Sequence, residues 1–117
     1  SWRMTIEKFE DLISWQKAKE VSLVVYRLFR NNRDFSFKDQ IQRAVISISN
    51  NIAEGFERKS NKELKQFLYI AKGSCGEVRS MIYIAKDLEY ITIKEFGEIH
   101  GSLLEISRLL SGFIKTL

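Results

Sequence analysis

The segment that decides the fold is "FGEIHGSLLEISRLLSGFIKTL", which runs from Phe96 to Leu117. Its apolar residues recur at alternating steps of three and four along the chain. Because an α-helix places such residues on one face, the spacing predicts a long helix with a continuous apolar seam. Thr92 is expected to cap this helix at its start. The seam consists of Phe96, Ile99, Leu103, Ile106, Leu110, Phe113 and Leu117.

Periodicity and capping residues predict three more helices upstream. The first runs from Glu7 to Asn31. The second runs from an N-cap at Ser36 to Glu54, before a stop at Gly55. The third runs from an N-cap at Ser60 or Asn61 to Tyr90. Their seams are Ile41, Val45, Ile48 and Ile52 in the second helix, and Leu64, Phe67, Ala71, Val78, Ile82 and Ala85 in the third. Short connections between long helices imply antiparallel neighbours. We therefore predict an all-α fold, an antiparallel up-down-up-down four-helix bundle.

The first helix differs from the others, because its apolar residues spread over more than half of its circumference. A bundle needs only one apolar stripe per helix. The chain of 117 residues is one domain, spanning residues 1–117. At this length, the extra apolar surface of the first helix favours a contact with another subunit over a position inside a larger core. We therefore expect a homo-oligomer.

Composition excludes several classes of protein. The chain has no proline and only 6 glycines, which disfavours a turn-rich β fold. No apolar run approaches the ~20 residues that span a bilayer, and no charged-then-apolar leader pattern is visible, so secretion is not expected. A single cysteine, Cys75, suits a cytoplasmic protein. Met4 is expected to be the natural start, with Ser1–Arg3 left over from cloning.

A second, polar stripe follows the seams of the second and third helices. Asn51, Glu54, Ser74 and Glu77 are predicted to form a structural polar network, with small residues such as Gly73 allowing close helix approach. The alternative is a catalytic pocket built on Glu54 and Glu77. No nucleophile–base pair accompanies these carboxylates, so the structural interpretation is favoured and no enzymatic activity is predicted.

Metal and cofactor sites are not predicted. Carboxylate-bridged metal bundles use Glu-x-x-His pairs, whereas the residue three before the single histidine, His100, is Gly97. Cys75 has no partner for a zinc site and is expected to be a small buried residue. The "GSCG" segment lies inside a predicted helix rather than between a strand and a helix, so it is not a phosphate-binding loop.

The distribution of charge is the remaining feature of the sequence that bears on function. The 19 basic and 15 acidic residues give a net charge of +4. The windows 27–38 and 58–65 each carry a net charge of +3 and lie at opposite ends of the predicted bundle. Solvated helix ends and a nucleic-acid footprint are both consistent with such windows. The candidate phosphate contacts are Arg58, Lys59, Lys62 and Lys65, with Arg43 as a weaker candidate.

Three segments carry a family resemblance. They are "FEDLISWQKAKEV" at Phe9–Val21, "QIQRAVISISNNIAEGFER" at Gln40–Arg58 and "FLYIAKGSCGEV" at Phe67–Val78. Together they resemble the bacterial four-helix-bundle proteins encoded in intervening sequences of 23S ribosomal RNA genes. Cys75 stands where that family usually has leucine, and the usual proline of the first loop is absent.

The resemblance implies a small helical bundle that assembles as a ring, a pentamer. The accessory variability protein of diversity-generating retroelements is similar in fold and works with nucleic acid. Ribosome association is an analogy based on gene location alone. The combined interpretation is a non-enzymatic oligomer that binds nucleic acid through basic helix ends, with RNA favoured and DNA also possible. The alternative is a protein-interaction scaffold without a nucleic-acid ligand.

Overall fold

The computed structural model describes residues 6–117, so the expectation for Ser1–Arg3 lies outside the described residues. Each helix packs against two others: consecutive helices along the chain are neighbours, and the last helix returns to the first. This confirms the all-α class and is consistent with an up-down bundle, 46 Å long and about half as wide. After a 3₁₀ turn, Phe9–Asp11, the helices are α1 (Ile13–Phe29), α2 (Phe35–Phe56), α3 (Asn61–Asp87) and α4 (Ile93–Lys115).

The predicted seams form the core. Every seam residue of α2 is completely buried, and the central part of the α4 seam is buried as well. Phe67, Phe96, Phe113 and Leu117 are partly buried, because they close the sides and ends of the bundle. Burial of this one contiguous cluster supplies the main driving force for folding.

The prediction that the first helix begins at Glu7 is wrong. The backbone at Leu12 is extended, so Phe9–Asp11 forms a separate 3₁₀ turn and α1 begins at Ile13. Phe9 folds back edge-on against Trp15, with 5.1 Å between ring centroids, and Leu12 is buried. The break in the helix at Leu12 thus lets the side chains of Phe9 and Leu12 both cover the end of the core, which a straight helix would not allow.

The N-cap of α2 also differs from the prediction. Asp34 rather than Ser36 caps the helix, because its Oδ1 accepts a hydrogen bond from the Phe37 N–H at 3.2 Å. The other carboxylate oxygen of Asp34 accepts a 2.7 Å hydrogen bond from the Tyr90 hydroxyl. Tyr90 lies in the α3–α4 connection, so a single carboxylate caps a helix and joins two loops at one end of the bundle.

Gly55 does not stop α2, which continues to Phe56. A Cβ atom at Gly55 would lie 2.7 Å from the Phe67 Cβ and 3.3 Å from the Leu64 carbonyl oxygen. Gly55 is therefore the residue that lets α2 and α3 approach closely. The prediction that Gly73 has this role is wrong, because no atom of another element lies within 4 Å of the position that a Cβ at Gly73 would occupy, and the same is true of Gly76.

The remaining helix boundaries follow local signals. As predicted, Ser60 caps α3 and Thr92 caps α4. The structure adds that Thr92 and Glu95 form a complete capping box. Helix α3 ends at Asp87 rather than Tyr90, because Glu89 adopts a left-handed backbone conformation with φ of 63°. This conformation terminates helices and turns the chain toward α4.

Helix α1 leaves apolar side chains in solvent. Ile13 is 58% exposed, and Leu23, Val24 and Tyr26 are exposed to a lesser extent. The spread of apolar residues in the sequence therefore corresponds to surface rather than to extra core. Within residues 6–117, no helix combines the length and the apolarity that crossing a membrane requires.

Candidate nucleic-acid interface

The basic end of the molecule, defined here as Arg58, Lys59, Lys62 and Lys65, lies at the α2–α3 connection. Arg58 is already engaged there: its Nη2 lies 2.9 Å from Glu54 Oε1, and its guanidinium carbon lies 4.9 Å from the centre of the Phe67 ring. Both charged groups are about half exposed. The contact positions the Arg58 side chain over the connection and partly neutralises its charge.

The three lysines of the basic end differ from Arg58. Lys59 and Lys62 are exposed and Lys65 is partly buried. Among residues 6–117, no carboxylate lies within 4.0 Å of their ammonium groups. Ser60 accepts the Glu63 N–H at 3.2 Å, so that amide of the first turn of α3 is not free to bind an external anion. The lysine side chains are therefore available to bind phosphate.

Arg43 lies apart from the basic end. It is exposed near the middle of α2, where it lines an open depression together with Asp39 and Glu77. Fifteen residues of helix separate it from Arg58, which corresponds to about 20 Å along the axis. Two neighbouring carboxylates also reduce the local positive potential. The structure does not bring Arg43 together with the other candidate residues.

The predicted polar network is only partly present. The hydroxyls of Ser47 and Ser74 are hydrogen-bonded across the α2–α3 seam, and the Asn51 side-chain amide donates to the Ser47 carbonyl oxygen at 2.7 Å. Glu54 instead accepts from Arg58. Glu77 is exposed and has no hydrogen-bond partner among the described residues. The network is thus a short contact around Ser47, without either glutamate.

The register of α2 against α3 also separates Glu54 from Glu77. Ser47 faces Ser74, and Gly55 faces Leu64 and Phe67, so the two helices run antiparallel. Glu54 is therefore level with the first turns of α3, whereas Glu77 is level with the first half of α2. Ten residues of offset correspond to about 15 Å. The two carboxylates do not form the pair that the catalytic alternative requires.

Cys75 and His100 have structural surroundings. Cys75 is completely buried, and this burial raises the pKa of its thiol to about 12 although Arg79 and Lys72 act in the opposite direction. His100 stacks on Phe96 with 5.3 Å between ring centroids. Cys75 therefore has the buried packing role predicted from sequence, and His100 packs among aromatic side chains. Within residues 6–117, no three side chains among His, Cys, Asp and Glu gather as ligands for a metal ion.

A second set of basic residues was not identified from the sequence windows. Lys65 is the first of four basic residues spaced seven apart on α3, and we call this set the basic stripe: Lys65, Lys72, Arg79 and Lys86. A seven-residue step changes the direction on a helix by only about 20°, so the four lie nearly in line over about 30 Å. All four are partly exposed. The seven-residue spacing is the signal that could have revealed them.

Contacts at Lys86 show which neighbour the stripe approaches. The Lys86 ammonium lies 4.7 Å from the ring centre of Phe96 on α4 and 5.5 Å from that of Tyr83 on α3. Tyr83 also packs edge-on against Phe96, at 4.9 Å between ring centroids, and its hydroxyl lies 3.4 Å from His100 Nε2. The basic stripe therefore borders the junction between α3 and α4.

Comparison with known proteins places the chain in a family. The sequence profile of the 23S rRNA-intervening sequence protein family matches residues 10–112. The chain belongs to this family. Among proteins with curated functions, none matches the sequence.

A solved structure has a fold similar to that of this member of the 23S rRNA-intervening sequence protein family. It is that of a protein of unknown function from the S23 ribosomal protein family of Bacteroides thetaiotaomicron VPI-5482. Its sequence is 26% identical, the match covers 88% of this chain and 99% of that one, and the TM-score is 0.83. Neither the family nor this relative is described by a chemical reaction.

Proposed function

We propose that this chain is a non-enzymatic bacterial protein of the cytoplasm that assembles into a homo-oligomer and binds RNA through its basic end. The observation that carries the proposal is the set of lysines, Lys59, Lys62 and Lys65, that face solvent without an ion-pair partner among the described residues. Arg58 extends this cation cluster, although Glu54 shares its charge. Membership in a family named after 23S rRNA intervening sequences favours RNA over DNA.

Phosphate is the ligand that such a cluster recognises. Lysine ammonium groups bind phosphate as point charges and carry no information about base sequence. Binding therefore requires several phosphates in succession, as a polyanion supplies them. Each neutralised phosphate releases counterions, so affinity falls steeply as salt is added. Arg43 belongs to the proposed surface only as a peripheral contact, given its distance from the basic end and its two acidic neighbours.

The nucleic-acid prediction is tested by fluorescence anisotropy with labelled RNA and DNA of the same sequence at several salt concentrations. The triple variant K59Q/K62Q/K65Q is expected to bind at least tenfold more weakly at low salt. Its log–log salt slope should be smaller by about 2, because three contacts to a single strand are lost at about 0.7 each. The charge-matched control is R27Q/R30Q/R33Q, which removes three cations at the opposite end of the bundle.

Two results contradict the nucleic-acid proposal. One is a wild-type protein that binds neither RNA nor DNA at low salt. The other is equal loss of affinity in both triple variants, which indicates a response to net charge rather than a site. In either case a protein-interaction scaffold takes its place. That alternative is supported by large apolar side chains in solvent, of which Ile93 is 80% and Phe35 is 62% exposed.

Assembly is tested separately by light scattering behind size exclusion. The exposed apolar side chains of α1, Ile13, Leu23, Val24 and Tyr26, support a subunit contact, since burying them removes apolar surface from water. We expect a mass that is a multiple of 13.7 kDa, with five copies by family resemblance. The variant L23E/V24E is expected to lower this mass, whereas a wild-type mass near 13.7 kDa contradicts the proposal.

A further inference from the structure

We propose that a single strand of nucleic acid lies along the junction of α3 and α4, with its phosphates on the basic stripe and its bases against Tyr69 and Tyr83. This inference rests on the proposed nucleic-acid function and adds to it the path of the ligand and its strandedness. The path begins at the basic end, because Lys65 belongs to both sets of residues. It continues along α3 through Lys72 and Arg79 to Lys86.

The first support is a segregation of charge. Between Leu64 and Lys86, the only acidic residue of α3 is Glu77, and this residue lines the depression on the α2 side. Lys65, Lys72 and Arg79 form no ion pair within 4.0 Å among residues 6–117. Lys86 has one carboxylate at the limit of contact, Asp87 at 4.0 Å. The stripe therefore keeps most of its positive charge available to an anion.

Two of the three acidic residues of α4 are placed away from the stripe. Glu98 and Glu105 line a groove against α1, together with Glu20, and we call this the acidic groove. Glu105 forms a 3.1 Å ion pair there with Lys17. Glu95 is used in the capping box at the start of α4. On the α3 side, α4 presents Phe96 and His100 to Tyr83. The α3–α4 junction is thus positive from Lys65 to Arg79, as a phosphate backbone requires, whereas Lys86 shares a depression with Asp87, Glu89 and Glu95.

The second support is a pair of exposed aromatic rings beside the stripe. Tyr69 is 56% and Tyr83 is 47% exposed. Both residues belong to α3, which buries its other face in the core, so the two rings lie on the exposed face of the helix. They are fourteen residues apart, which places them on one side of α3 about 20 Å from each other. Gly76 lies midway between them, and no atom of another element is within 4 Å of the position of its absent Cβ. The helix surface between the two rings is therefore open.

Alternating cations and exposed rings suit a single strand. Proteins that bind single-stranded nucleic acid combine a positive groove for the backbone with aromatic side chains on which bases stack. Bases of a duplex are paired and stacked on each other, and the deep, narrow major groove of an RNA duplex excludes side chains. The rings of Tyr69 and Tyr83 can therefore contribute to binding only when the bases are unpaired.

The test uses anisotropy titrations of the full chain with a single-stranded RNA of about 12 nucleotides, within the usual range of site sizes, and with a hairpin duplex of the same composition. Tyr69→Ala is expected to weaken single-strand binding roughly tenfold and to leave duplex binding unchanged. The control is Ile70→Ala, an equally exposed truncation of the adjacent residue, which is expected to have no effect. K72Q/R79Q is expected to weaken single-strand binding and reduce the salt slope by about 1.4.

The open surface at Gly76 provides an independent variant. Gly76→Leu places a bulky side chain between the two rings and is expected to weaken single-strand binding at least fivefold. Gly112→Leu inserts the same side chain at a glycine of α4 that is also free of neighbours and lies seven residues after Glu105, on the acidic-groove side, and it is expected to bind as the wild type does. Circular dichroism of each variant confirms that the helices are retained.

The outcomes separate this inference from the proposed function. Wild-type binding that is lost in K59Q/K62Q/K65Q but unchanged in K72Q/R79Q, Tyr69→Ala and Gly76→Leu overturns the path along α3 and leaves the basic end as the site. No binding by the wild type overturns both. If K72Q/R79Q instead reduces the mass of the oligomer, the stripe contacts another subunit, such as its acidic groove, and the inference is overturned.

Discussion

Gly55→Ala is expected to lower the free energy of unfolding by about 1–3 kcal/mol, the usual cost of overpacking a closely packed contact. The added methyl group would lie 2.7 Å from the Phe67 Cβ. Both positions are fixed by helical backbone, so the conflict is relieved only if α2 and α3 move apart. The better helix propensity of alanine offsets part of this cost but not all of it.

Gly73→Ala is the matched control for this prediction. Gly73 is also in the interior of a helix, but its Cβ position is open. Alanine there is expected to raise the free energy of unfolding by up to about 1 kcal/mol, through helix propensity alone. Chemical denaturation monitored by circular dichroism measures both variants, with extraction of the m-value. Equal effects in the two variants would show that close packing at Gly55 does not govern the α2–α3 contact.

Asp34→Ala is expected to lower the free energy of unfolding by about 1–2 kcal/mol from loss of the α2 cap, which accepts the Phe37 N–H at 3.2 Å. It also leaves the Tyr90 hydroxyl without its acceptor. Ser36→Ala is the control, since the sequence predicted Ser36 as the cap and the structure assigns it no capping hydrogen bond. If Ser36→Ala is as destabilising as Asp34→Ala, the assignment of the cap to Asp34 is wrong.

The same contact predicts a dependence on alkaline pH. The pKa of Tyr90 is raised, because its hydroxyl donates to Asp34, burial disfavours the phenolate and the Asp34 carboxylate repels it. The fold therefore stabilises the protonated tyrosine. This contribution is fully present below the ordinary pKa of tyrosine and is lost as pH rises through the raised value. Above about pH 10, wild-type stability should fall more steeply than that of Tyr90→Phe, as measured by denaturation at each pH.

The parts of the fold that were predictable depend on local sequence. The seam through Ile99, Leu103 and Ile106 follows from helical geometry alone, and the capping box at Thr92 and Glu95 requires only four consecutive residues. The antiparallel order of the helices follows from their short connections. None of these features depends on which side chains meet across the core, so the sequence pattern was sufficient to predict them.

The features that were missed depend on contacts distant in sequence. The choice of Asp34 over Ser36 as cap involves Tyr90, 56 residues further along the chain. Gly55 resembles a helix stop until Phe67 is placed against it. Neither contact is visible in a local window.

The candidate site was predictable only in part, for a different reason. The net charge of a contiguous window reveals Lys59, Lys62 and Lys65, because they are close together in sequence. Residues seven apart are neighbours on a helix surface but fall in different windows of sequence. The window charge therefore does not reveal Lys72 and Arg79. Conversely, Glu54 and Glu77 share a polar stripe in sequence, but the register of two antiparallel helices places them at different heights in the bundle.

The segregation of charge between the basic stripe and the acidic groove has a consequence for the rate of binding. Because the positive and negative surfaces are separated, each subunit has a dipole moment perpendicular to the long axis of the bundle. A polyanion that approaches by diffusion is then attracted to the α3 side of each subunit before any contact forms, which raises the fraction of productive encounters. The effect extends over about 8 Å at physiological ionic strength and about 30 Å at 0.01 M salt. Association rate constants should therefore depend on salt more strongly than the lifetimes of the complexes do.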